Sequence, residues 1–291
     1  MNIRKLVLIG LTGSFAAGIS SGQKIEELDP LTVLARRIES STDENVSSVG
    51  IITGDELARM QRHRLLEALD LIRGTQLLST AGRMGNTGSV IIRGLPRRYQ
   101  QIMVDGIRVS DNTNPLGNFL GNGQLGQITN IEVLRGPQSV LYGTRAGGGV
   151  IGYETSVGSG DPEHQFFAEG GSFETFRTGL SSRGQLEDFS YGIEVGSQFS
   201  GNDTYEALSL HDYDQAFINL ALEWQLDRDL RLKVSYRGTD NLLKTRASNV
   251  FGVSNSEIET ETALLSANLS YQPNSGWKSL LTTGVYYENY R

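Results

Sequence analysis

The 291-residue sequence contains no cysteine and only three histidines, His63, His164 and His211. The lack of cysteine excludes disulfide scaffolds, thiol nucleophiles, iron–sulfur clusters and zinc fingers, and the histidines lack the spacing of a metal site. Six prolines are too few for a collagen-like or proline-rich chain. The 26 basic residues are outnumbered by 33 acidic ones, and this net charge of −7 argues against a nucleic-acid-binding protein of the usual basic type.

Long apolar runs are also missing, because no stretch beyond the N-terminus approaches the ~18 consecutive apolar residues of a membrane helix. At the N-terminus, two basic residues precede an apolar run from Leu6 to Ala17, and small residues follow from Gly18 to Gly22. This order predicts a cleaved export signal over residues 1–22. The alternative is an uncleaved anchor, which the polar and small residues at 12–14 disfavour. The exported protein is then either soluble or a β-barrel.

Glycine is abundant, at 35 residues, and the region from 39 to 158 combines it with signals for both helices and strands. Thr53 marks a helix start, and Leu65, Leu66 and Leu69 repeat at helical spacing. Short strands are predicted at 89–93, 101–104 and 131–134, with a tight hairpin turn at Asp105-Gly106. Residues 39–158 are therefore predicted to form an α+β domain.

From residue 159 to the end, apolar and polar residues alternate with a period of two, as from Ala216 to Leu226. The alternation predicts strands near 165–171, 174–183, 189–199, 215–226, 230–240, 260–272 and 277–290. A soluble β-sandwich would give the same alternation. Strands of ~10–12 residues with aromatic side chains near their ends favour a transmembrane β-barrel.

The order of the strands also predicts which connections lie outside the cell. If the first strand leads outward from the periplasm, the turns at 184–188 and 227–229 are periplasmic, and the connections at 200–214 and 241–259 are extracellular loops. Asp203, Asp212, Asp214 and Asp240 then fall on the outer side. Converging carboxylates repel one another unless a cation holds them, so a metal site is one hypothesis and solvated loop aspartates are the other.

A longer motif gives a family resemblance. Residues 131–151 read IEVLRGPQSVLYGTRAGGGVI, with Ile92-Arg93-Gly94 and Asp105-Gly106 upstream. This order resembles the plug domain of TonB-dependent outer-membrane transporters, from about residue 33 to residue 151, although Gly152-Tyr153 departs from the family's usual continuation. The resemblance implies an α+β plug domain at 39–158 and antiparallel transmembrane β-barrel strands at 159–291, an incomplete part of a 22-stranded barrel.

The resemblance also implies a partner for the segment at 23–38. Its residues Leu31, Thr32, Val33, Leu34 and Ala35 resemble a TonB box. Such a box is an extended peptide that adds as a strand to TonB, which is driven by its inner-membrane motor complex. The proline that precedes these residues and the β-branched side chains among them suit an extended form.

The expected function is uptake of a scarce, bulky nutrient by a protein embedded in outer-membrane lipid. Expected ligand contacts lie in the plug segments 83–89 and 97–99 and in a polar loop at 111–122; the residues singled out are Arg83, Thr87, Ser89, Arg97, Tyr99, Asn112 and Thr113. As in the family, Arg93 and Arg135 are expected to face carboxylates of the barrel and retain the plug.

The substrate class stays open between a cobalamin-like corrinoid and a ferric siderophore. The aspartate-rich outer segments resemble the calcium-binding loops of the family's cobalamin transporters, which implies a structural calcium ion at Asp203, Asp212, Asp214 and Asp240. We expect no enzyme activity, no catalytic cofactor and no nucleic-acid partner. The alternatives are a truncated chain that does not transport, since seven strands cannot enclose a plug, and a soluble periplasmic sandwich.

Overall fold

The computed structural model describes residues 31–32, 40–41, 48–79, 84–109, 116–201, 210–249, 252–274 and 277–291. The predicted export signal at 1–22 lies outside the described residues. A small α+β domain, here the N-terminal domain, precedes seven long antiparallel strands, here the wall. None of the helices in the described part of the chain has the length and apolar character needed to cross a membrane.

The N-terminal domain is built on a five-stranded sheet with the order β3-β8-β9-β6-β7, in which only β6 and β9 run parallel. Two further antiparallel pairs, β1–β2 and β4–β5, form separate two-stranded sheets. The strands are β1 Leu31–Thr32, β2 Ser40–Ser41, β3 Val49–Thr53, β4 Thr75–Ser79, β5 Gly88–Ile92, β6 Gln100–Val104, β7 Ile107–Val109, β8 Ile128–Arg135 and β9 Gly149–Thr155. The helices are α1 Gly54–Arg59, α2 Leu65–Asp70, α3 Gly117–Asn122 and α4 Ser139–Tyr142, with a 3₁₀ turn at Arg97–Tyr99.

Local sequence signals explain the best-predicted elements. Thr53 starts α1 through a capping box: its side chain accepts from the Glu56 amide at 3.2 Å, and its own amide donates to the Glu56 carboxylate at 2.8 Å. The Thr53 amide and, second, the Thr53 hydroxyl, which donates to the same carboxylate at 2.8 Å, lower the pKa of Glu56. Asp105 and Gly106 both have positive φ, 49° and 79°, and make the predicted hairpin turn between β6 and β7.

One apolar cluster joins the helices of this domain to its sheet. Leu65 and Leu69 lie one turn apart on α2, and both are completely buried. They belong to the same cluster as Ile131 of β8 and Ile151 of β9. The helical repeat predicted at Leu65, Leu66 and Leu69 is therefore the face that closes the core.

The wall confirms the predicted run of consecutive antiparallel strands. Its members are β10 Glu163–Gly171, β11 Thr175–Leu186, β12 Phe189–Ser200, β13 Leu210–Asp227, β14 Leu230–Asn249, β15 Gly252–Asn274 and β16 Trp277–Tyr290, each paired with the next. The fold class is thus an α+β domain followed by antiparallel strands that form part of a barrel-type wall.

Two predicted loops are wrong. In the expected outer loop at 241–259, the described residues 241–249 and 252–259 are strand instead, because β14 and β15 remain paired from Asn241↔Thr260 to Asn249↔Gly252. Backbone hydrogen bonds hold this extension together, so it needs no apolar alternation, and the sequence pattern there is polar. In the N-terminal domain, the end of the polar loop expected at 111–122 is helix α3.

The two faces of the wall have opposite polarity. On β13, odd-numbered side chains such as Gln215 and Asn219 face the N-terminal domain and are buried. Even-numbered ones, such as Ile218 and Leu220, point the other way. On neighbouring strands this outward face leaves large apolar side chains uncovered, among them Leu180, Leu265, Leu281 and Val285. A soluble sandwich would bury its apolar face, so the arrangement is that of a membrane wall.

We expect Ile131→Ala to lower the free energy of unfolding of the N-terminal domain by about 2–5 kcal/mol, because it empties a fully buried core position. The matched control is Val140→Ala on α4, whose side chain is 100% exposed and whose loss should change stability by less than about 0.5 kcal/mol. Urea titration of the purified protein measures both changes in the free energy of unfolding. Proteolytic cleavage of the N-terminal domain at each urea concentration reports the fraction that is unfolded. Equal losses from the two substitutions would contradict the proposed core.

Candidate functional site at the seam between the N-terminal domain and the wall

Arg237 of β14 is the main anchor between the two parts of the chain. Its guanidinium donates to the Thr155 hydroxyl at 3.0 Å, to the Gln124 carbonyl at 2.7 Å and to the Leu125 carbonyl. Thr155 connects Arg237 to Asp105, because the amide and the hydroxyl of Thr155 donate to the two carboxylate oxygens of Asp105 at 2.6 and 2.8 Å. A cation of the wall is thus linked to an anion of the N-terminal domain through one threonine.

Tyr153 lies beneath this anchor, with the Arg237 guanidinium 5.3 Å from the centre of its ring. Burial raises the pKa of Tyr153 to about 12, against the opposing effect of Arg237. The phenol is therefore neutral at physiological pH, and the ring serves as an apolar and cation–π surface for the guanidinium.

A second charged cluster crosses the seam further round the wall. Arg177 of β11 contacts Glu194 of β12 and Glu169 of β10, each at 3.2 Å, and lies 4.1 Å from the centre of the Phe167 ring. His63, between α1 and α2, places Nε2 3.1 Å from the same Glu169 oxygen. Desolvation lowers the pKa of His63 and outweighs the opposing effect of Glu169, so the contact joins a largely neutral imidazole to the carboxylate.

Close backbone packing at Gly126 brings the seam together. A Cβ atom there would lie 2.1 Å from Nδ2 of Asn219 on β13, and the φ of 62° also favours glycine. At this point the N-terminal domain therefore approaches the wall more closely than a side chain at position 126 would allow.

A pocket of about 160 Å³ opens where the N-terminal domain meets the outer end of the wall, the end that carries the connection at 201–209. We assign this end to the outside because the opposite turns are short. The N-terminal domain lines it with Gly85, Asn86, Thr87, Asn118 and Asn122, and the wall with Asn241, Leu243, Ile258, Thr260 and Tyr290. The described residues of this lining are uncharged and rich in amides and hydroxyls.

Amide hydrogen bonds fix the wall side of the pocket. Gln215 donates to the Asn122 carbonyl at 2.9 Å and to the Asn241 side-chain oxygen at 2.6 Å. Asn241 in turn donates to the Thr260 carbonyl at 3.1 Å and accepts from the Tyr213 hydroxyl at 3.2 Å. The pocket wall is therefore held in one arrangement before any ligand arrives.

The structure brings part of the predicted ligand set to this pocket. Thr87 lines it, and Ser89 is half-buried on β5 close by in the chain. Arg97 donates to the Gly88 carbonyl at 3.1 Å and so supports the Thr87 loop. Tyr99 is 45% exposed, and its carbonyl accepts from the Gly148 amide. Arg83, Asn112 and Thr113 lie outside the described residues.

Sequence reasoning missed the wall side of the pocket. Asn241, Thr260 and Tyr290 occupy the inward positions of three strands, beyond or at the limits of the strands expected from apolar alternation. Every second residue of a strand faces inward. Continuing this alternation past the last apolar, outward-facing residue of each strand would have predicted these three positions.

The expected role of Arg135 is wrong for the described residues. Its guanidinium donates to the carbonyls of Val49 at 3.1 Å, Ser48 at 3.5 Å and Arg73, all within the N-terminal domain. Arg93 sits in the turn after β5 with a φ of 50°, and Nη1 lies 3.0 Å from where a Cβ of Gly136 would be. Arg135 therefore ties this domain together, and charged groups of the described wall residues reach across the seam at Arg237 and Lys233.

Only part of the predicted TonB box is described. Leu31 and Thr32 form strand β1, which pairs with Ser40–Ser41, so their backbone is extended as predicted. Val33, Leu34 and Ala35 lie outside the described residues. Recognition of this segment by TonB stays a prediction.

The predicted calcium ligands do not assemble a site from the described residues alone. Asp212 and Asp214 lie on β13, opposite Lys244 and Leu242, and Asp240 lies on β14 opposite Ala216. Their parity is opposite to that of Gln215, so all three belong to the outward face. No group of three or more described His, Asp or Glu side chains could hold a metal ion. Asp203 lies outside the described residues, and calcium binding stays a prediction.

We expect Arg237→Met to destabilise the attachment of the N-terminal domain by about 3 kcal/mol, because three acceptors lose a charged donor. The matched control is Arg228→Met in the exposed turn after β13. The rate at which a protease cleaves the N-terminal domain of the detergent-solubilised protein measures the effect. Equal cleavage rates for the two variants would show that Arg237 is not an anchor.

Comparison with known proteins agrees with this architecture. The TonB-dependent receptor plug domain family matches residues 41–150. The chain is similar to the vitamin B12 transporter BtuB of Vibrio vulnificus (strain YJ016), with 23% identity over 90% of this chain and 43% of that protein. It is also similar to the ferrienterobactin receptor of Escherichia coli (strain K12), with 28% identity over 98% of this chain and 44% of that protein.

Among solved structures, the ferripyoverdine receptor of the outer membrane of Pseudomonas aeruginosa shares the fold. The TM-score is 0.70 at 18% identity, over 87% of this chain and 36% of that one. The chain thus spans less than half the length of the relatives described here. These relatives are receptors and transporters rather than enzymes. The matched plug domain, its wall and these relatives together place the chain in the family of TonB-dependent receptors of the outer membrane.

Proposed function

We propose that the protein carries out TonB-dependent active uptake of a scarce, bulky nutrient, with a cobalamin-like corrinoid as the substrate. Its seven wall strands would then belong to a barrel of 22 strands that encloses the plug, the name used from here for the N-terminal domain. The ligand would bind at the outer pocket, and TonB, driven by its motor complex, would pull on Leu31–Ala35 to open a path.

The uncharged lining that the described residues give the pocket is the observation that favours a corrinoid. Its polar side chains are amides and hydroxyls, among them Asn86, Asn118 and Asn241. Such groups suit the neutral carboxamides at the rim of a corrin ring, since each amide both donates and accepts. An anionic iron chelate would be bound better by guanidinium or ammonium groups.

Ferric siderophore uptake is the second candidate, and the similarity to the ferrienterobactin receptor over 98% of this chain favours it. The cation nearest to the Thr87 loop by the described contacts is Arg97, which donates to the Gly88 carbonyl and supports the loop. Recruiting it to an anionic ligand would therefore compete with an existing hydrogen bond. This competition lowers the expected affinity for such a chelate.

TonB-driven opening has to overcome the contacts across the seam. The hydrogen bonds from Arg237 to the plug carbonyls of Gln124 and Leu125 are charge-assisted and buried, so each is stronger than a neutral hydrogen bond. In the resting protein these anchors would keep the plug seated, and thermal motion alone would rarely release it. An external mechanical force is consistent with this arrangement.

We expect the full-length protein to bind cyanocobalamin, and Asn86→Ala and Asn118→Ala each to weaken binding about fivefold, by roughly 1 kcal/mol for a lost hydrogen bond. The matched control is Ser279→Ala, an exposed polar residue at the opposite end of β16, which should leave affinity unchanged. Titration calorimetry with cyanocobalamin and with ferric enterobactin measures the preference. Tighter binding of the ferric chelate would reverse the substrate assignment.

Calcium is a separate part of this proposal. The three described aspartates lie at the outer end of β13 and β14, and a calcium site would need Asp203 to complete it. The same titration with calcium and with a chelator tests the point. If calcium leaves cyanocobalamin affinity unchanged, the calcium part of the proposal is wrong while the corrinoid assignment stands.

A further inference from the structure

The plug loop that carries Asn86 and Thr87 into the outer pocket rests directly on the wall. This Thr87 loop, residues 84–87, precedes β5 and contacts the strands β12, β13 and β14. Each of these three strands has a hydrogen-bonded neighbour on both sides. The loop is therefore supported by a continuous part of the sheet and not by its edge.

Tyr213 of β13 makes the closest of these contacts. A Cβ atom at Gly85 would lie 2.5 and 2.7 Å from the ring atoms Cδ2 and Cε2 of Tyr213, and 3.3 Å from Cδ1 of Leu243 on β14. The φ of Gly85 is 77°, so its backbone conformation also favours glycine. The backbone of the Thr87 loop therefore lies directly on the tyrosine ring.

The ring itself is held in place behind the pocket. Tyr213 is 2% exposed, and its hydroxyl donates to the Asn241 side-chain oxygen at 3.2 Å. The same oxygen accepts from Gln215 at 2.6 Å, so it keeps one donor if the tyrosine hydroxyl is lost. Tyr213 is not among the described residues that line the outer pocket. Its ring therefore supports the loop from behind, outside the surface that the ligand would touch.

The plug holds the other end of the same loop. A Cβ atom at Gly121 of α3 would lie 2.0 Å from the Asn86 carbonyl oxygen, and Arg97 donates to the Gly88 carbonyl at 3.1 Å. On the wall side, the Met84 sulfur contacts the Gln198 amide of β12. The loop is thus fixed by the plug at residues 86–88 and by the wall at residues 84–85.

A loop that is fixed before binding favours tight binding, because the ligand does not have to order it. If the support is lost, only a fraction of the molecules hold the loop in the binding arrangement, and the apparent dissociation constant rises in inverse proportion to that fraction. The contacts in the bound complex are unchanged in that case. The loss of affinity then comes from slower association, while the dissociation rate stays the same.

We propose that Tyr213 is a positioning residue for ligand binding, whose ring holds the Thr87 loop in the binding arrangement before the ligand arrives. The inference rests on the proposed uptake function. It adds a determinant of affinity that belongs to the wall and lies behind the pocket rather than in its lining.

Two substitutions separate the ring from its hydroxyl. Tyr213→Leu removes the aromatic surface under Gly85, whereas Tyr213→Phe keeps that surface and loses only the hydroxyl. The matched control is Phe217→Leu, at the next buried aromatic residue on the inward face of β13, whose ring lies against Gly196 of β12. Stopped-flow measurements with cyanocobalamin give the association and dissociation rates of each full-length variant in detergent.

We expect Tyr213→Leu to slow association about tenfold and to leave the dissociation rate within about twofold of the unmodified protein. Tyr213→Phe and Phe217→Leu should leave both rates within about twofold. Faster dissociation from Tyr213→Leu would make Tyr213 a ligand contact, and an equal loss in Phe217→Leu would reduce its role to general packing of the wall. Either result, or unchanged rates in Tyr213→Leu, would overturn the proposal.

A second readout needs no ligand. A nitroxide attached at Thr87→Cys, in a sequence without other cysteines, reports the mobility of the loop by electron paramagnetic resonance. The label should be immobilised in the otherwise unmodified protein, with Tyr213→Phe and with Phe217→Leu, and should gain a mobile component with Tyr213→Leu.

An equally immobile label with Tyr213→Leu would contradict the positioning role, whatever the ligand is. Failure of the unmodified protein to bind cyanocobalamin would refute the corrinoid assignment instead. The label then decides by itself whether Tyr213 holds the loop.

Discussion

The apolar outward face of the wall constrains everything that lies inside it. Because Ile218, Leu220 and Leu222 point away from the plug, the alternate residues Asn219 and Ala221 must point towards it. A wall built for lipid therefore presents polar and small groups to its interior. The plug has to satisfy those groups with its own polar atoms, and this requirement explains why the seam is a hydrogen-bonded surface rather than an apolar core.

The same requirement connects stability with function. Arg237 is buried, and three acceptors of the plug satisfy its guanidinium. Docking of the plug therefore provides the hydrogen bonds that this buried charge of the wall requires. A second charged contact reaches the plug from the same strand, since Lys233 of β14 lies 3.5 Å from Glu154 of β9.

Features with a periodic or local signature could be predicted from the sequence, and contacts to distant backbone could not. Alternation located the strands around Leu220, and Thr53 and Asp105-Gly106 located a helix start and a turn because their chemistry is local. The anchor role of Arg237 was not predictable, since its partners include the carbonyls of Gln124 and Leu125, which any residue carries. Apolar alternation predicts a loop at Asn241, yet the residue pairs with Thr260, because strand pairing beyond the lipid needs no apolar pattern.

The central claim is that the wall turns its apolar face to lipid and its polar face to the plug. Spin labels attached at Leu220→Cys and Asn219→Cys, in a sequence without other cysteines, test it in reconstituted bilayers. The label at position 220 should collide often with dissolved oxygen and rarely with a water-soluble nickel chelate, while the label at position 219 should be shielded from both. A label at position 220 that is shielded from oxygen, or open to the nickel chelate, would contradict this account.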